Sequence, residues 1–242
     1  MTFSIVAHCP RTGQLGVAVS TAVPAVGSMC PYVRPGIGAV ATQSWVNPYL
    51  AIDALRLMEG GASGPDALQT VLASDDQRDL RQIGVVDARG RAAAWSGPLC
   101  TEWFGHVVED HVAVQGNMLV GEATVSAMAA AFRASASEDL AERLLRAMEA
   151  GQAAGGDKRG RQSASLRVFE GEEYARLDLR VDEHPDPVAE LRRIHEIARH
   201  QLVPFVAGMP RRKGTAIAPS PEVMRMLLEP PPRRPGGGGS GP

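Results

Sequence analysis

The chain has 242 residues, a formal net charge of −2, and 44% hydrophobic against 21% charged residues. That is the balance of an ordinary globular protein, and it excludes a chain whose overall charge recruits nucleic acid. No apolar run reaches the length of a membrane span, the first residues lack the pattern of a secretion signal, and Cys9, Cys30 and Cys100 form no C-x-x-C pair, so a cytoplasmic protein with reduced thiols is expected.

In chain order, "TFSIVAHC" (Thr2–Cys9) reads as a strand from its β-branched, aromatic and alternating residues. "PRTGQ" is a turn, and "LGVAVS" (Leu15–Ser20) is the return strand, small and apolar as in a sheet covered on both faces. Residues 21–36 read as a loop, with Pro24, Gly27, Pro31, Pro35 and Gly36, before a third strand at Ile37–Ser44. Asn47 as cap and Pro48 as first helical residue start a helix that Gly60 and Gly61 end, and a short helix fits Asp66–Ala73. "QIGVVDARGRAAAWSG" gives strand, turn and strand, and His111–Gly116 a further strand. The next helix carries Val125, Met128, Ala129 and Phe132 on one face. Its successor carries Leu140, Leu144, Ala147 and Met148, with Ser137 as the expected cap and Gly151 as its stop. Two strands, "SASLRVF" and "ARLDLRV", precede a last helix from Pro187 to about His200.

Strands grouped with helix pairs between them predict an α+β fold, with two antiparallel sheets face to face and helices outside. The expected domain covers residues 1–205. Residues 206–242 are read as a disordered tail, Pro/Gly-rich and basic, with "VMRMLL" (Val223–Leu228) its one apolar stretch.

No G-x-S-x-G elbow, P-loop, G-x-G-x-x-G or H-E-x-x-H is present. The six histidines show no metal-ligand spacing, so neither metal nor cofactor is expected; Asp182 and His184 read as a structural turn. Position two is different. Thr2 is small enough to permit removal of the initiator Met1, which leaves a hydroxyl and a free α-amine on one residue. An α-amine has a pKa of about 8, so a useful fraction is neutral and can accept the hydroxyl proton. One residue then holds nucleophile and base.

The blocks "MTFSIVA" (1–7), "GQLGVAVST" (13–21), "GIGAVATQ" (36–43), "QGNMLVG" (115–121), "AAGGDKRGRQSASL" (153–166) and "DLRVDEHPDPVAEL" (178–191) resemble those of the DUF1028 proteins, a group of undefined substrate within the Ntn-hydrolase superfamily. The resemblance covers roughly residues 1–200. It implies a four-layer αββα sandwich and makes Thr2 the position of interest.

Amide hydrolysis needs donors aimed at a developing oxyanion. "ATQSWVN" offers Gln43, Ser44 and Asn47 where a strand turns into a helix N-terminus, and "GNML" offers Asn117. The glycine-rich stretch 151–166 is expected to come back beside the first strand. There Asp157 would orient the Thr2 amine, Lys158, Arg159 and Arg161 would neutralise a substrate carboxylate, and Gln162 and Ser163 would bond substrate or Thr2. Arg34 would sit near Thr2 as a cation lowering its pKa values. The expected function is an N-terminal-nucleophile amidohydrolase acting on a small amide or peptide-like molecule. The alternative is a non-catalytic small-molecule-binding protein on the same fold. A homodimer is expected by analogy, with no nucleic-acid or membrane partner.

Overall fold

In the computed structural model, which describes residues 2–214 and 218–229, the strand-rich opening of the sequence becomes the centre of a sheet. β1 (Thr2–His8) pairs antiparallel with β2 (Leu15–Thr21) on one side and with β8 (Val112–Asn117) on the other. With β7 (Gly105–Glu109), β9 (Ser163–Phe169) and β10 (Leu177–Val181), they form a six-stranded sheet in the order β10-β9-β2-β1-β8-β7. The second sheet has four strands, β3 (Pro31–Arg34), β4 (Gly38–Ser44), β5 (Arg81–Asp87) and β6 (Ala92–Ser96), in sequence order and antiparallel.

Alternation along a strand sends successive side chains to opposite faces. The inner faces of the two sheets meet through Val6, Val17, Val19, Ala39, Ala41, Val86 and Ala113. On the outer face of the four-stranded sheet, Val40, Ile83 and Val85 pack under α1 (Pro48–Glu59) and α2 (Gly64–Ala73), which contribute Leu50, Leu55, Leu68 and Val71. The outer face of the six-stranded sheet lies under α3 (Ala123–Ala134) and α4 (Leu140–Ala153), whose Met128, Leu140, Leu144, Leu145 and Met148 are fully buried. Each such side chain contributes about 1.5–3 kcal/mol by leaving water. The layers are therefore helix, sheet, sheet, helix, as the order of elements predicts.

Several local expectations are corrected. β3 lies inside the stretch read as a loop, and β7 precedes the strand expected at His111. α4 is capped by Asp139, which accepts from the Glu142 amide, not by Ser137, and it runs past Gly151 to Ala153. Gly151 is instead a close-approach point: a Cβ there would come within 2.7 Å of Met128 and 3.4 Å of Phe3. The chain divides into two compact units, Met1–His195 and Glu196–Pro242. α5 (Pro187–Ala207) is longer than expected, and α6 (Pro221–Leu228), capped by Ser220, forms where disorder is expected. The "GGGGSGP" end lies outside the described residues. Among the described residues, no helix is long and apolar enough to cross a membrane.

Candidate active site

Register places four polar residues in one row across the six-stranded sheet: Ser163 opposite Thr21, Thr21 opposite Thr2, and Thr2 opposite Asn117. Directly paired residues of antiparallel strands project to the same face. For β1 that face is the inner one, because Ser4, two residues on, donates to Gln43 Oε1 of the other sheet at 2.6 Å. Thr2 thus heads a central strand with its hydroxyl turned into the gap between the sheets. It is 7% exposed, and its Oγ1 lies 3.2 Å from Thr21 Oγ1.

Below Thr2 the inter-sheet layer is polar. Gln43, Gln82, Gln115 and Ser4 are fully buried, and Asn117 is 1% exposed. Gln43 Nε2 donates to the Thr2 carbonyl at 3.2 Å and to Gln82 Oε1 at 2.7 Å. Asn117 Nδ2 donates to the same Gln82 oxygen at 2.9 Å. Gln115 Nε2 donates to Ser4 Oγ at 2.6 Å. Gln82 Nε2 donates to the Gly116 carbonyl at 2.8 Å and to Ser96 Oγ at 2.7 Å. A buried polar group without a partner costs about 1–3 kcal/mol, which these bonds avoid for most of the layer; Gln115 Oε1 is the exception, buried with no hydrogen-bond partner among the described residues.

The glycine-rich loop reaches this end of the sandwich. On one side Gln162 N–H donates to the Thr21 carbonyl at 2.9 Å, and Asp157 Oδ2 accepts from Ala22 N–H at 3.1 Å. On the other side Asp157 bridges Leu119 through its backbone, and Val120 N–H donates to the Gly156 carbonyl at 3.1 Å. β1 lies between β2 and β8, so a loop stitched to the ends of both spans the head of β1. Gly155, Gly156 and Gly160 all have positive φ (114°, 58° and 113°), which glycine adopts at no steric cost. Gly156 also backs onto Phe3: a Cβ would sit 3.1 Å from its ring.

The expected site residues divide into three groups. Thr2, Asn117, Asp157, Lys158, Arg159, Gln162 and Ser163 are all brought to this end. Asp157 is buried, receives the Arg159 N–H at 2.8 Å and pairs with the Arg159 guanidinium at 3.4 Å. Lys158 Nζ donates to the Glu102 carbonyl at 2.6 Å. Ser163 Oγ is engaged within the fold, donating to the Val23 carbonyl at 2.6 Å and accepting from Val26 N–H at 3.1 Å.

A second group sits at this end with its side chains engaged inside the fold. Gln43 is fully buried and holds the Thr2 backbone instead of facing substrate. Asn47 caps α1, as its place before Pro48 predicts, accepting from Tyr49 N–H at 3.1 Å, and its amide nitrogen donates to Asp75 at 3.2 Å. Ser44 has φ 70° and Met118, after Asn117, has φ 52°. Left-handed backbone at non-glycine residues costs about 1–3 kcal/mol and concentrates at functional sites.

In the third group, Arg34 lies elsewhere, and Arg161, in the same loop as Gln162, is engaged by an acid outside the loop. Arg34 pairs in register with Gly38, at the end of the sheet away from Ser44, and forms an ion pair with Glu59. Arg161 pairs with Asp186 at 2.8 Å. Thr21 and Gln82 are absent from the expected set. Their signal is position, a polar residue at the end of a strand that is otherwise small and apolar. The cysteines are buried and free, and burial pushes the Cys30 thiol up to about 12, which leaves it protonated.

Exposed apolar side chains rim the same end. Trp45 follows β4, Leu99 lies in the loop after β6, and Val120 follows β8, each more than 60% exposed (70%, 63% and 62%).

The chain is 29% identical to protein SPO2555 from Silicibacter pomeroyi, whose crystal structure covers 90% of this chain and 99% of its own, with a TM-score of 0.82. Anbu, the ancestral β-subunit from Yersinia bercovieri, aligns over 88% of this chain and 100% of its own, at 12% identity and a TM-score of 0.39. No curated protein matches. The model of DUF1028, described as a family of unknown function, matches residues 2–191, and the chain belongs to that family.

Proposed function

We propose that the protein is an N-terminal-nucleophile amidohydrolase, with Thr2 as nucleophile and its own α-amine as base. The observation that carries this reading is the placement of Thr2: a hydroxyl at the head of a central strand, facing the inter-sheet gap, with its carbonyl held by Gln43. Such fixation is what a nucleophile at a chain terminus needs. With Met1 removed, Thr2 Oγ1 attacks the amide carbonyl carbon while the α-amine takes the hydroxyl proton. The proton passes to the leaving nitrogen as the C–N bond breaks, and water then hydrolyses the resulting ester. Asp157, anchored to both neighbours of β1, orients the ammonium form of the amine. The rim of Trp45, Leu99 and Val120, with Lys158 and Arg159 in the loop, suits a small amide that carries an apolar group and an anionic one.

Two measurements test this. Intact mass spectrometry reads whether Met1 is absent and Thr2 unmodified. A panel of small amides and N-acyl amino acids is then assayed with the wild type, Thr2→Ala and Thr2→Ser. Turnover by the wild type, partial turnover by Thr2→Ser and none by Thr2→Ala is the expected result. A retained Met1, or equal turnover by wild type and Thr2→Ala, leaves the non-catalytic binding protein as the reading.

A further inference from the structure

We propose that Gln82 is a positioning residue for the Thr2 site, setting the direction in which the Asn117 amide faces. It touches neither Thr2 nor the space in front of it, and its effect passes through the two side chains flanking Thr2. The inference depends on the amidohydrolase reading only for the second of its two measurements.

The argument rests on hydrogen-bond polarity. A carbonyl oxygen only accepts, and an amide nitrogen only donates. Gln82 Oε1 accepts from Gln43 Nε2 at 2.7 Å and from Asn117 Nδ2 at 2.9 Å. Gln82 Nε2 is directed to three acceptors, Ser96 Oγ at 2.7 Å, the Gly116 carbonyl at 2.8 Å and the Gly105 carbonyl at 3.3 Å. Reversing the Gln82 amide would set nitrogen against two amide nitrogens and oxygen against a carbonyl, so one orientation satisfies the set. That orientation fixes its neighbours: Gln43 must turn its nitrogen towards Gln82 and the Thr2 carbonyl, and Asn117 must turn its nitrogen towards the other sheet.

The consequence for the site is specific. Asn117 is the register partner of Thr2, so the two side chains lie side by side on the inner face. With Nδ2 given to Gln82, Asn117 presents its oxygen as an acceptor. One Nδ2 hydrogen is committed to Gln82, and the oxygen is left to receive a proton-bearing group, such as the Thr2 ammonium. Gln82 is fully buried, and an apolar residue there would leave the Gln43 and Asn117 amides without their acceptor. A glutamine at that place is explained by what it orders.

The test compares wild type, Gln82→Met, which matches the length without the amide, and Gln82→Glu, which keeps the acceptor oxygens. The first readout is the Asn117 side-chain amide in a ¹⁵N-resolved NMR spectrum, identified by its disappearance in Asn117→Asp. In the wild type its protons exchange slowly with solvent. In Gln82→Met exchange is expected to accelerate by about tenfold or more, and in Gln82→Glu the protection is retained. The second readout is acylation of Thr2 by a β-lactone, followed by intact mass. Gln82→Met is expected to label about tenfold more slowly, with Gln82→Glu closer to wild type.

Unchanged Asn117 exchange in Gln82→Met overturns the proposal, as does labelling of Gln82→Met at the wild-type rate. A wild type that does not label at Thr2 defeats the amidohydrolase reading instead, and the NMR readout alone then decides for Gln82. Should Gln82→Met fail to fold, Gln82→Asn, one methylene shorter, withdraws the carbonyl from Asn117, and the same readouts apply.

Discussion

The hydroxyl oxygens of Thr2 and Thr21 lie 3.2 Å apart across the β1–β2 pair, both on the inner face of the six-stranded sheet. This contact links the proposed nucleophile to a residue that also anchors the glycine-rich loop, since the Thr21 carbonyl accepts from Gln162 N–H at 2.9 Å. Thr21→Val keeps the shape and removes the hydroxyl. It is expected to slow β-lactone labelling of Thr2 by about fivefold, the worth of one hydrogen bond, while Thr21→Ser stays near wild type. Equal labelling rates in all three proteins would show that the contact does not orient the Thr2 hydroxyl.

Asp157 ties its own loop to the end of β2 through Ala22 N–H, and its side chain is only 2% exposed. Asp157→Ala removes the carboxylate that accepts from the Ala22 and Arg159 N–H groups and pairs with the Arg159 guanidinium. A stability loss of about 2 kcal/mol is expected from denaturant unfolding, and Asp157→Asn, which keeps an oxygen, should lose less. If the carboxylate also orients the Thr2 amine, Asp157→Asn lowers turnover by about 10²-fold, more than its stability loss explains. An Asp157→Ala protein as stable as wild type would show that the loop is held by its backbone contacts alone.

Gly84 sits on the inner face of β5 against Gln115, and a Cβ there would come 2.0 Å from Gln115 Oε1. Gln115 cannot swing away without abandoning Ser4, to which it donates at 2.6 Å. Gly84→Ala is therefore expected to lower stability by about 1–3 kcal/mol, read as a fall in Tm. An unchanged Tm would mean that the amide layer yields more readily than its hydrogen bonds suggest.

At the opposite end of the sandwich, His8 and His111 meet at 3.0 Å between their Nδ1 atoms, a contact that is a hydrogen bond only when one nitrogen carries a proton and the other does not. Burial and the charge of His111 push the His8 pKa below its ordinary value of 6.5, with Asp87 opposing. A histidine whose pKa is depressed in the native state binds its proton more readily when unfolded. Stability is thus complete above about pH 6.5 and falls as the pH drops below it. Urea midpoints measured between pH 8 and pH 5 should show that decline, and His8→Asn should flatten it. A midpoint that rises on acidification would contradict the assignment.

Much of the fold is legible in the sequence because its strands and helices carry opposite periodicities. "TFSIVA" and "LGVAVS" alternate or are uniformly small, and Asn47-Pro48 opens α1 as capping rules require. β3 escapes because it is four residues long, begins with Pro31 and lies among prolines and glycines. Asp139 displaces Ser137 as a cap because both are good caps, and spacing alone does not choose between them. The site is legible only in part. Polar residues at a strand end or a helix N-terminus are read as facing substrate, which brings Gln43 and Asn47 into the expected site. The partners that occupy their amides, Gln82 and Asp75, come from other strands and loops, and no local pattern announces them. Arg34 is misplaced for a simpler reason: an unrecognised β3 hides which end of the sheet it occupies.

The amide layer has a bearing on how the two sheets align. Methyl groups of valine and alanine attract one another with little regard to direction, so sheets joined by them alone could slide past one another by a residue pair at modest cost. Amides do not permit that, because a shift of one residue pair would set the buried donors of Gln43 and Asn117 away from their acceptor on Gln82. The polar end therefore acts as a dowel that fixes one alignment out of several that the apolar end would accept, and the terminus of β1 is held where that dowel puts it.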